Sequence, residues 1–304
     1  MKFQKNREAA ESAAQILFTV CASFAILAVV SITFYMIRSG IPAILQVGLK
    51  EILLGSEWKP TASEPRYGIL YVILTSAMGT FLAVLIGVPI GVLTAVFLTE
   101  ISNRHTAALV KSAVELLAGI PSVIYGLLGI YLLNPLMYKL ERKVFAGSET
   151  HRFTGGANLL SAVIVLAIMI LPTVINISEA SIRAVSPSLR EASYALGASR
   201  IQTIFRSVLP AAKPGIVTAV VLGVGRAIGE AMAITLVSGG NVNLPFPFHS
   251  VRFLTTAIVS EMGYAQGTHR QVLFTIGLAL FAFIMLTNWG LNQIIKERVE
   301  EDDG

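Results

Sequence analysis

The stretch YGILYVILTSAMGTFLAVLIGVPIGVLTAVFLT, at residues 67–99, contains no charged side chain. A helix that crosses the hydrocarbon core of a bilayer needs about 20 predominantly apolar residues. This stretch is therefore long enough to cross a membrane once and to extend beyond it. Its internal glycines and Pro89 are compatible with a tilted or kinked helix that accommodates the extra length.

Five further apolar runs are long enough to be membrane spans. They lie at residues 16–37, 116–138, 157–178, 214–238 and 271–295. We therefore predict an all-α, polytopic membrane protein with six transmembrane helices. The first run is longer than the roughly 7–15-residue apolar region of a cleaved signal peptide, which favours an uncleaved anchor.

The composition excludes most other classes of protein. Hydrophobic residues make up 54% of the chain and charged residues 13%, against about 25% charged residues in a typical soluble domain. A mean hydropathy of +0.72 agrees with this. The chain is therefore neither an ordinary soluble domain nor a disordered segment. We assign its net charge of +5 to basic residues that flank membrane spans rather than to nucleic-acid binding.

Sequence patterns for metal binding and for enzyme catalysis are absent. Cys21 is the only cysteine, so neither an intrachain disulfide nor a cysteine-based metal cluster can form. The four histidines are scattered without ligand spacing. Neither the nucleotide-binding pattern G-x-x-x-x-G-K-[ST] nor the nucleophile pattern G-x-S-x-G occurs. We therefore expect a protein without a metal site that is not an enzyme.

The segment between the fourth and fifth apolar runs, residues 179–213, has the pattern of two short amphipathic helices. Ser186 followed by Pro187 is typical of a helix start. Gly197 is placed as a helix C-terminal cap, and a second apolar face follows and ends at Pro210. From the residues alone, this segment is either a helical pair on the lipid headgroups or a docking element for another protein.

A charged pair, Arg226 and Glu230, interrupts the fifth run. Residues four apart lie on one face of a helix. A charge at the centre of a membrane helix costs roughly 2.5–3.5 kcal/mol on insertion scales, so it faces protein or water. One interpretation is a structural ion pair. The other is an anion path, because a guanidinium binds a tetrahedral oxyanion through two hydrogen bonds.

Small residues accompany this pair. Gly225 and Gly229 have GxxxG spacing, and Gly223 adds a further small residue two positions before Gly225. Such a pattern is typical of close helix packing. We therefore expect these three glycines to pack against another helix while leaving room beside Arg226.

The loop at residues 179–213 resembles the EAA motif of ABC importer permeases. The matching residues are Glu191, Ala192 and Gly197, followed by Leu209 and Pro210. Ser193 and Ser207 depart mildly from the usual pattern. In that family the loop forms a coupling helix that seats in a groove of an ATPase, which implies that this loop is cytoplasmic.

The stretch GRAIGEAMAI, at residues 225–234, resembles the corresponding span of phosphate ABC transporter permeases of the PstC type. The resemblance extends over roughly residues 65–296. It implies the type I ABC importer permease (MetI-like) fold, with Arg226 and Glu230 on the phosphate path. We expect an N-terminal segment with the first helix and an external loop (1–66), a permease core of five helices (67–296) and a short cytoplasmic tail (297–304).

The same resemblance implies the partners and the location. The partners would be a second permease of the PstA type, an ATPase dimer of the PstB type and an external phosphate-binding protein of the PstS type, all at a lipid membrane. ATP and magnesium would bind the ATPase, so no cofactor is expected on this chain. We expect a prokaryotic cytoplasmic (inner) membrane protein with both termini in the cytoplasm, although Lys and Arg are nearly balanced between the two sides.

Other functions fit parts of the pattern. The chain could be the PstA-type sister subunit or a permease for another oxyanion, such as sulfate or phosphonate. A channel or secondary transporter that works without ATP would need several intramembrane charges or inverted repeats. A structural or assembly subunit without a solute path would bury Arg226 against Glu230 and packed side chains.

Overall fold

The computed structural model describes residues 2–302, with the side chains of residues 14–291 and 293. The helices are α1 (Lys2–Val47), α2 (Leu49–Leu54), α3 (Leu70–Val96), α4 (Arg104–Gly119), α5 (Ser122–Leu128), α6 (Asn134–Val144), α7 (Leu159–Ala184), α8 (Pro187–Ala195), α9 (Arg200–Thr203), α10 (Leu209–Gly229), α11 (Met232–Val237), α12 (Leu254–Glu261) and α13 (Gly267–Asp302). Three π-helical segments adjoin them at Phe97–Ile101, Gly129–Leu133 and Ile204–Val208. Two two-residue strands, β1 (Trp58–Lys59) and β2 (Arg66–Tyr67), form an antiparallel ribbon.

The predicted number of membrane spans is confirmed. Six helical segments are long and apolar enough to cross a bilayer: Ala14–Val47, Leu70–Ile101, Ser122–Val144, Leu159–Ala184, Arg200–Gly229 and Gly267–Leu291. The mainly helical fold is confirmed as well, since β1 and β2 together involve four residues. Helix α13 runs to Asp302, and residues 303–304 of the predicted tail lie outside the described residues. The division at residue 66 stays a prediction.

The third span begins later than the sequence suggested. Residues 116–119 belong to α4, and the helix breaks before Pro121. The backbone of Ile120 is extended, with ψ at 125°, because a proline disfavours the helical conformation of the residue before it. Helix α4 is therefore a separate element between two spans, and the expectation of one continuous helix over 116–138 is wrong.

The helices on either side of the 179–213 loop extend into it. Helix α7 continues past residue 178 to Ala184. Pro210 does not end the second short helix, because it occupies the first turn of α10, directly after the π-helical segment Ile204–Val208. The π-helical segment before it adjusts the backbone hydrogen bonds there, as local π adjustments around prolines do in membrane helices. The fifth span therefore starts within the loop and is continuous from Arg200 to Gly229.

Close contact between α3 and α7 forms the centre of the bundle. A stripe of small residues follows α3 at every fourth position: Gly79, Ala83, Gly87, Gly91 and Ala95, all buried. Residues four apart share a helix face, and small residues let two helix backbones approach closely in a membrane. A Cβ at Gly87 would lie 2.7 Å from Ile170 Cδ1 and 3.0 Å from the Ala167 carbonyl oxygen.

Other helices pack around this pair. Helix α10 lies along α7, and a Cβ at Gly223 would lie 3.1 Å from Val174 Cγ2. Helix α1 packs along α13, where the Thr275 hydroxyl donates to the Gly40 carbonyl at 3.0 Å. The loop with α8 and α9 is at one end of the bundle. Helix α7 ends at this loop and α10 begins there, so the two helices run in opposite directions. The loops before α7 and after α11 are therefore at the other end of the bundle, together with the ribbon.

Replacing Gly87 by valine should destabilise the fold. The added side chain would overlap Ile170 and the backbone of α7, and overpacking of this kind costs about 1–3 kcal/mol. We expect a lower midpoint of thermal unfolding for the Gly87→Val chain in detergent, measured by circular dichroism.

Gly290→Val is the matched control, because a Cβ at Gly290, also inside a membrane helix, meets no atom of the described residues within 4 Å. An equal loss of stability in both variants would show that the effect is not due to the contact between α3 and α7.

Candidate functional site

The helix that contains Arg226 ends before Glu230. Helix α10 ends at Gly229, and Glu230 has an extended backbone, with ψ at 129°. The Glu230 carboxylate points toward the residues that follow it in the chain. Its Oε1 accepts a hydrogen bond from the Ala233 amide at 3.0 Å. The Thr255 hydroxyl donates to the Glu230 carbonyl at 2.7 Å. The structure therefore corrects the prediction that Arg226 and Glu230 lie one turn apart on a shared helical face.

Arg226 lies in the last turn of α10, beside the middle of α7, and is only partly buried by this chain. Its Nη1 donates to the hydroxyl of Thr173 on α7 at 3.2 Å. Thr173 is about 20 Å from the start of α7 at a rise of 1.5 Å per residue, within a hydrocarbon core about 30 Å thick. In the part of the chain that the structure describes, no carboxylate forms a salt bridge with Arg226.

This arrangement leaves most of the guanidinium available. A charged side chain at this depth has to face water, a ligand or an opposite charge, and one neutral hydroxyl satisfies only one of its five N–H donors. The structure thus brings Arg226 together with Thr173 rather than with Glu230. The roles of Arg226 and Glu230 in a substrate path stay predictions.

The glycines beside Arg226 differ in their surroundings. Gly223 packs tightly against Val174 of α7. A Cβ at Gly225 or at Gly229 would meet no described atom within 4 Å. The face of α10 that presents these two glycines is thus uncovered by the described residues. Their predicted role in helix packing would need a surface from another chain.

At the opposite end of α10, the predicted pair of short helices around Gly197 is confirmed. The Ser186 hydroxyl caps α8 by accepting a hydrogen bond from the Ser188 amide at 3.3 Å. Gly197 has φ at +83°, a left-handed conformation that favours glycine at a helix end. Ser199 and Gln202 then form a capping box at the start of α9. We call α8, the turn at Gly197 and α9 the elbow.

The elbow presents apolar side chains to its surroundings. Leu196 is 90% exposed and Ile201 is 69% exposed. A concave surface beside the turn is lined by Leu189, Ala192, Leu196, Gln202 and Arg206, among others. Glu191 is exposed on the same helix as Ala192, while Leu209 and Pro210 begin α10 directly behind the elbow. Exposed apolar residues in such a concave patch are typical of a protein interaction surface.

Three residues that the sequence reasoning missed, Glu100, Arg190 and Arg200, attach the elbow to the second span. Arg190 Nη2 donates to Glu100 Oε1 at 2.8 Å, and Nη1 donates to the Val185 carbonyl at 2.6 Å. Arg200 also donates to the Glu100 carbonyl. Glu100 is the first acidic residue after the uncharged stretch 67–99, but no local pattern links it to arginines so distant along the chain.

Comparisons with known proteins identify the family. Residues 87–300 match the sequence profile of the family described as "Binding-protein-dependent transport system inner membrane component". The probable ABC transporter permease protein YqgH of Bacillus subtilis is 39% identical, over 94% of this chain and 92% of that protein. The phosphate transport system permease protein PstC of Pasteurella multocida is 33% identical, over 82% of this chain and 80% of that protein.

Solved structures agree on the fold. A chain of a bacterial alginate ABC transporter, in complex with a periplasmic protein, aligns with a TM-score of 0.58 and 18% identity, over 89% of this chain and 92% of that one. A chain of the MetNI methionine ABC transporter aligns with a TM-score of 0.53 and 21% identity, over 76% and 94%. The predicted MetI-like fold is confirmed. The chain belongs to the family of binding-protein-dependent transport system inner membrane components and is a multi-pass permease of the ABC importer type.

Proposed function

We propose that this chain is a permease subunit of an ATP-driven phosphate importer. Together with a second permease of the PstA type, it would form the phosphate path across a prokaryotic cytoplasmic membrane. A PstB-type ATPase dimer would bind ATP and magnesium, and a PstS-type protein would deliver phosphate from outside. The observation that carries the proposal is Arg226, a guanidinium beside the middle of the fourth span that has no carboxylate partner among the described residues.

The relatives support phosphate as the substrate. Several proteins named as PstC are 33–35% identical over most of this chain. The solved neighbours are transporters of methionine and alginate, which supports the fold rather than the substrate. Phosphate therefore rests on the PstC relatives together with the chemistry of Arg226.

The residues around Arg226 suit a tetrahedral oxyanion. A planar guanidinium can donate two parallel hydrogen bonds to one such anion, and the Thr173 hydroxyl is within reach of the same space. Glu230 Oε1 is occupied by the Ala233 amide, which leaves Oε2 to accept a hydrogen bond. A still-protonated hydrogen phosphate can donate that bond, whereas sulfate cannot. Arg226 would thus supply the donors for phosphate, and Glu230, from the turn that follows α10, would supply an acceptor.

Helix α10 would couple this site to the ATPase. The elbow, with Glu191, Ala192 and Gly197, would seat on the ATPase in the cytoplasm, which also places both chain termini there. Leu209 and Pro210 begin α10 at the elbow, and Arg226 lies in its last turn. A helix of this length is a rod of about 30 Å, so a movement of the elbow would tilt α10 and move Arg226 with it.

Arg226→Gln should reduce phosphate uptake by more than about tenfold, because the site would lose both its positive charge and its two parallel hydrogen-bond donors. Arg226→Lys should retain part of the uptake, since a lysine keeps the charge but not the planar fork. The measurement is uptake of radiolabelled phosphate into proteoliposomes that contain the whole assembly.

Thr173→Val serves as the matched control, because it removes only the neutral partner of Arg226 and should change uptake by less than the arginine variants. The assembly recovered on purification has to be equal for all variants. Normal uptake by the Arg226→Gln assembly would contradict the substrate role.

Leu196→Asp should weaken binding of the ATPase without unfolding the chain. Leu196 is 90% exposed, so the substitution removes no contact within this chain, but it would place a charge in an apolar interface. We expect loss of the ATPase on co-purification and at least a tenfold loss of ATP-dependent uptake.

The control for this variant is Leu196→Met, which preserves an apolar side chain of similar volume and should co-purify with the ATPase normally. Full retention of the ATPase by the Leu196→Asp chain would mean that the elbow is not the docking element. Phosphate uptake that proceeds without ATP would contradict the importer function itself.

A further inference from the structure

A large cavity opens at the end of the bundle opposite to the elbow. Its volume is about 960 Å³. It lies between the loop that precedes α7 and the loop that follows α11, with Trp58 of the ribbon at its edge. Its lining includes the polar side chains of Arg152, Arg252 and Asn241. Specific small-molecule sites typically occupy about 300–1,000 Å³, so the cavity can hold an ion together with part of its hydration shell.

The lining of this cavity is cationic and rich in hydrogen-bond donors. Arg152 contributes a positive charge that no carboxylate compensates, whereas the charge of Arg252 is balanced by Glu261, and neither aspartate nor glutamate is among the described lining residues. Arg152 is exposed, and its guanidinium makes no hydrogen bond within the described part of the chain. Its charge is therefore available to a ligand.

A buried carboxylate that lies outside the cavity stabilises one of its walls. Glu141 is completely buried. Its Oε1 accepts a hydrogen bond from the Thr154 amide at 2.9 Å, and its Oε2 accepts one from the Thr154 hydroxyl at 3.0 Å. His151 Nε2 lies 2.9 Å from the same Oε1, and its ring stacks on Phe145 at 3.7 Å. These contacts fix the backbone on both sides of Arg152.

A second buried carboxylate holds the opposite wall. Glu261 is 4% exposed and accepts a hydrogen bond from Trp58 Nε1 at 3.1 Å. His269 Nε2 lies 2.7 Å from its Oε2, and Arg252 forms a salt bridge with its Oε1. Arg252 Nε also donates to the Gly240 carbonyl at 2.6 Å. Both acidic groups thus lie behind the walls and orient donors, and neither lines the cavity.

We propose that this cavity is an oxyanion site on the external side of the membrane, where inorganic phosphate binds before it reaches Arg226. The proposal rests on the proposed function for the side of the membrane and for the substrate. Along the chain, only the break at Glu230 and the short helix α11 separate Arg226 from Gly239 at the cavity edge. The uncompensated charge of Arg152, on a backbone that Glu141 holds in place, would raise the local concentration of the anion at the mouth of the path.

Cysteine labelling can test this site without transport. Asn241 is exposed, lines the cavity and uses only its backbone amide in a hydrogen bond. Because Cys21 is the only native cysteine, the Asn241→Cys, Cys21→Ser chain has a single thiol. The whole assembly in right-side-out vesicles, without ATP, is treated with a membrane-impermeant anionic thiosulfonate and with a neutral one, and the two reaction rates are compared.

We expect the anionic reagent to react faster than the neutral one, and inorganic phosphate to slow labelling more than chloride at equal ionic strength. Adding Arg152→Gln should lower the ratio of anionic to neutral rates by about threefold to tenfold and abolish protection by phosphate. Arg270→Gln is the matched control, since Arg270 is an exposed arginine at the same end of the bundle that does not line the cavity. It should leave both readouts unchanged.

The outcomes separate this proposal from the function on which it rests. Protection by phosphate in an assembly that fails to transport phosphate would support the cavity site and contradict the transport function. Normal phosphate uptake together with no protection would overturn the cavity site alone. Protection by substrate-free binding protein, but not by phosphate, would also overturn it and would assign the cavity to protein docking.

Discussion

A guanidinium beside the middle of a membrane-spanning helix needs solvation that lipid cannot provide. Arg226 receives one hydrogen-bond partner from this chain, the Thr173 hydroxyl, and the helix face beside it at Gly225 and Gly229 is uncovered by the described residues. The remaining donors have to be satisfied by water, an anion or another chain. An anion path between two permease subunits meets all of these requirements at once.

The rest of the fold positions this charge. The small-residue stripe on α3 brings α7 close to α3, and α7 supplies Thr173. Helix α10 connects Arg226 to the elbow, and Glu100 attaches the elbow to the second span through Arg190. A movement imposed on the elbow would therefore reach the second and fifth spans together. At the other end of the bundle, two buried glutamates hold a cationic cavity beside the short helix that follows Arg226.

The features that could be predicted from the sequence are those with a local signal. Hydropathy predicted six spans, because each must shield its own backbone from lipid. Ser186 and Gly197 predicted the elbow, because caps and left-handed turns depend on single residues. The break at Glu230 was missed, because a glutamate inside an apolar run has no helix-breaking signal of its own. The late start of the third span was missed because Pro121 was treated as part of an apolar run.

The remaining features depend on pairs that are distant in sequence. Glu100 contacts Arg190, and Glu261 contacts Trp58. More than half of the chain lies between Trp58 and Glu261. No periodicity or spacing indicates such pairs, since only the packing of the helices brings them together. The cavity at the end of the bundle opposite to the elbow has no local signal for the same reason, because its walls come from three separate loops.

The most direct test of the central claim is an experimental structure of the whole assembly, trapped with its path open and soaked with arsenate, whose arsenic atom can be located by anomalous scattering. We predict arsenate oxygens about 2.7–2.9 Å from the guanidinium nitrogens of Arg226. The anion would lie in a water-filled space bounded by a second permease. A guanidinium enclosed by packed side chains or paired with a carboxylate of the second subunit, with the anion located elsewhere, would contradict the claim.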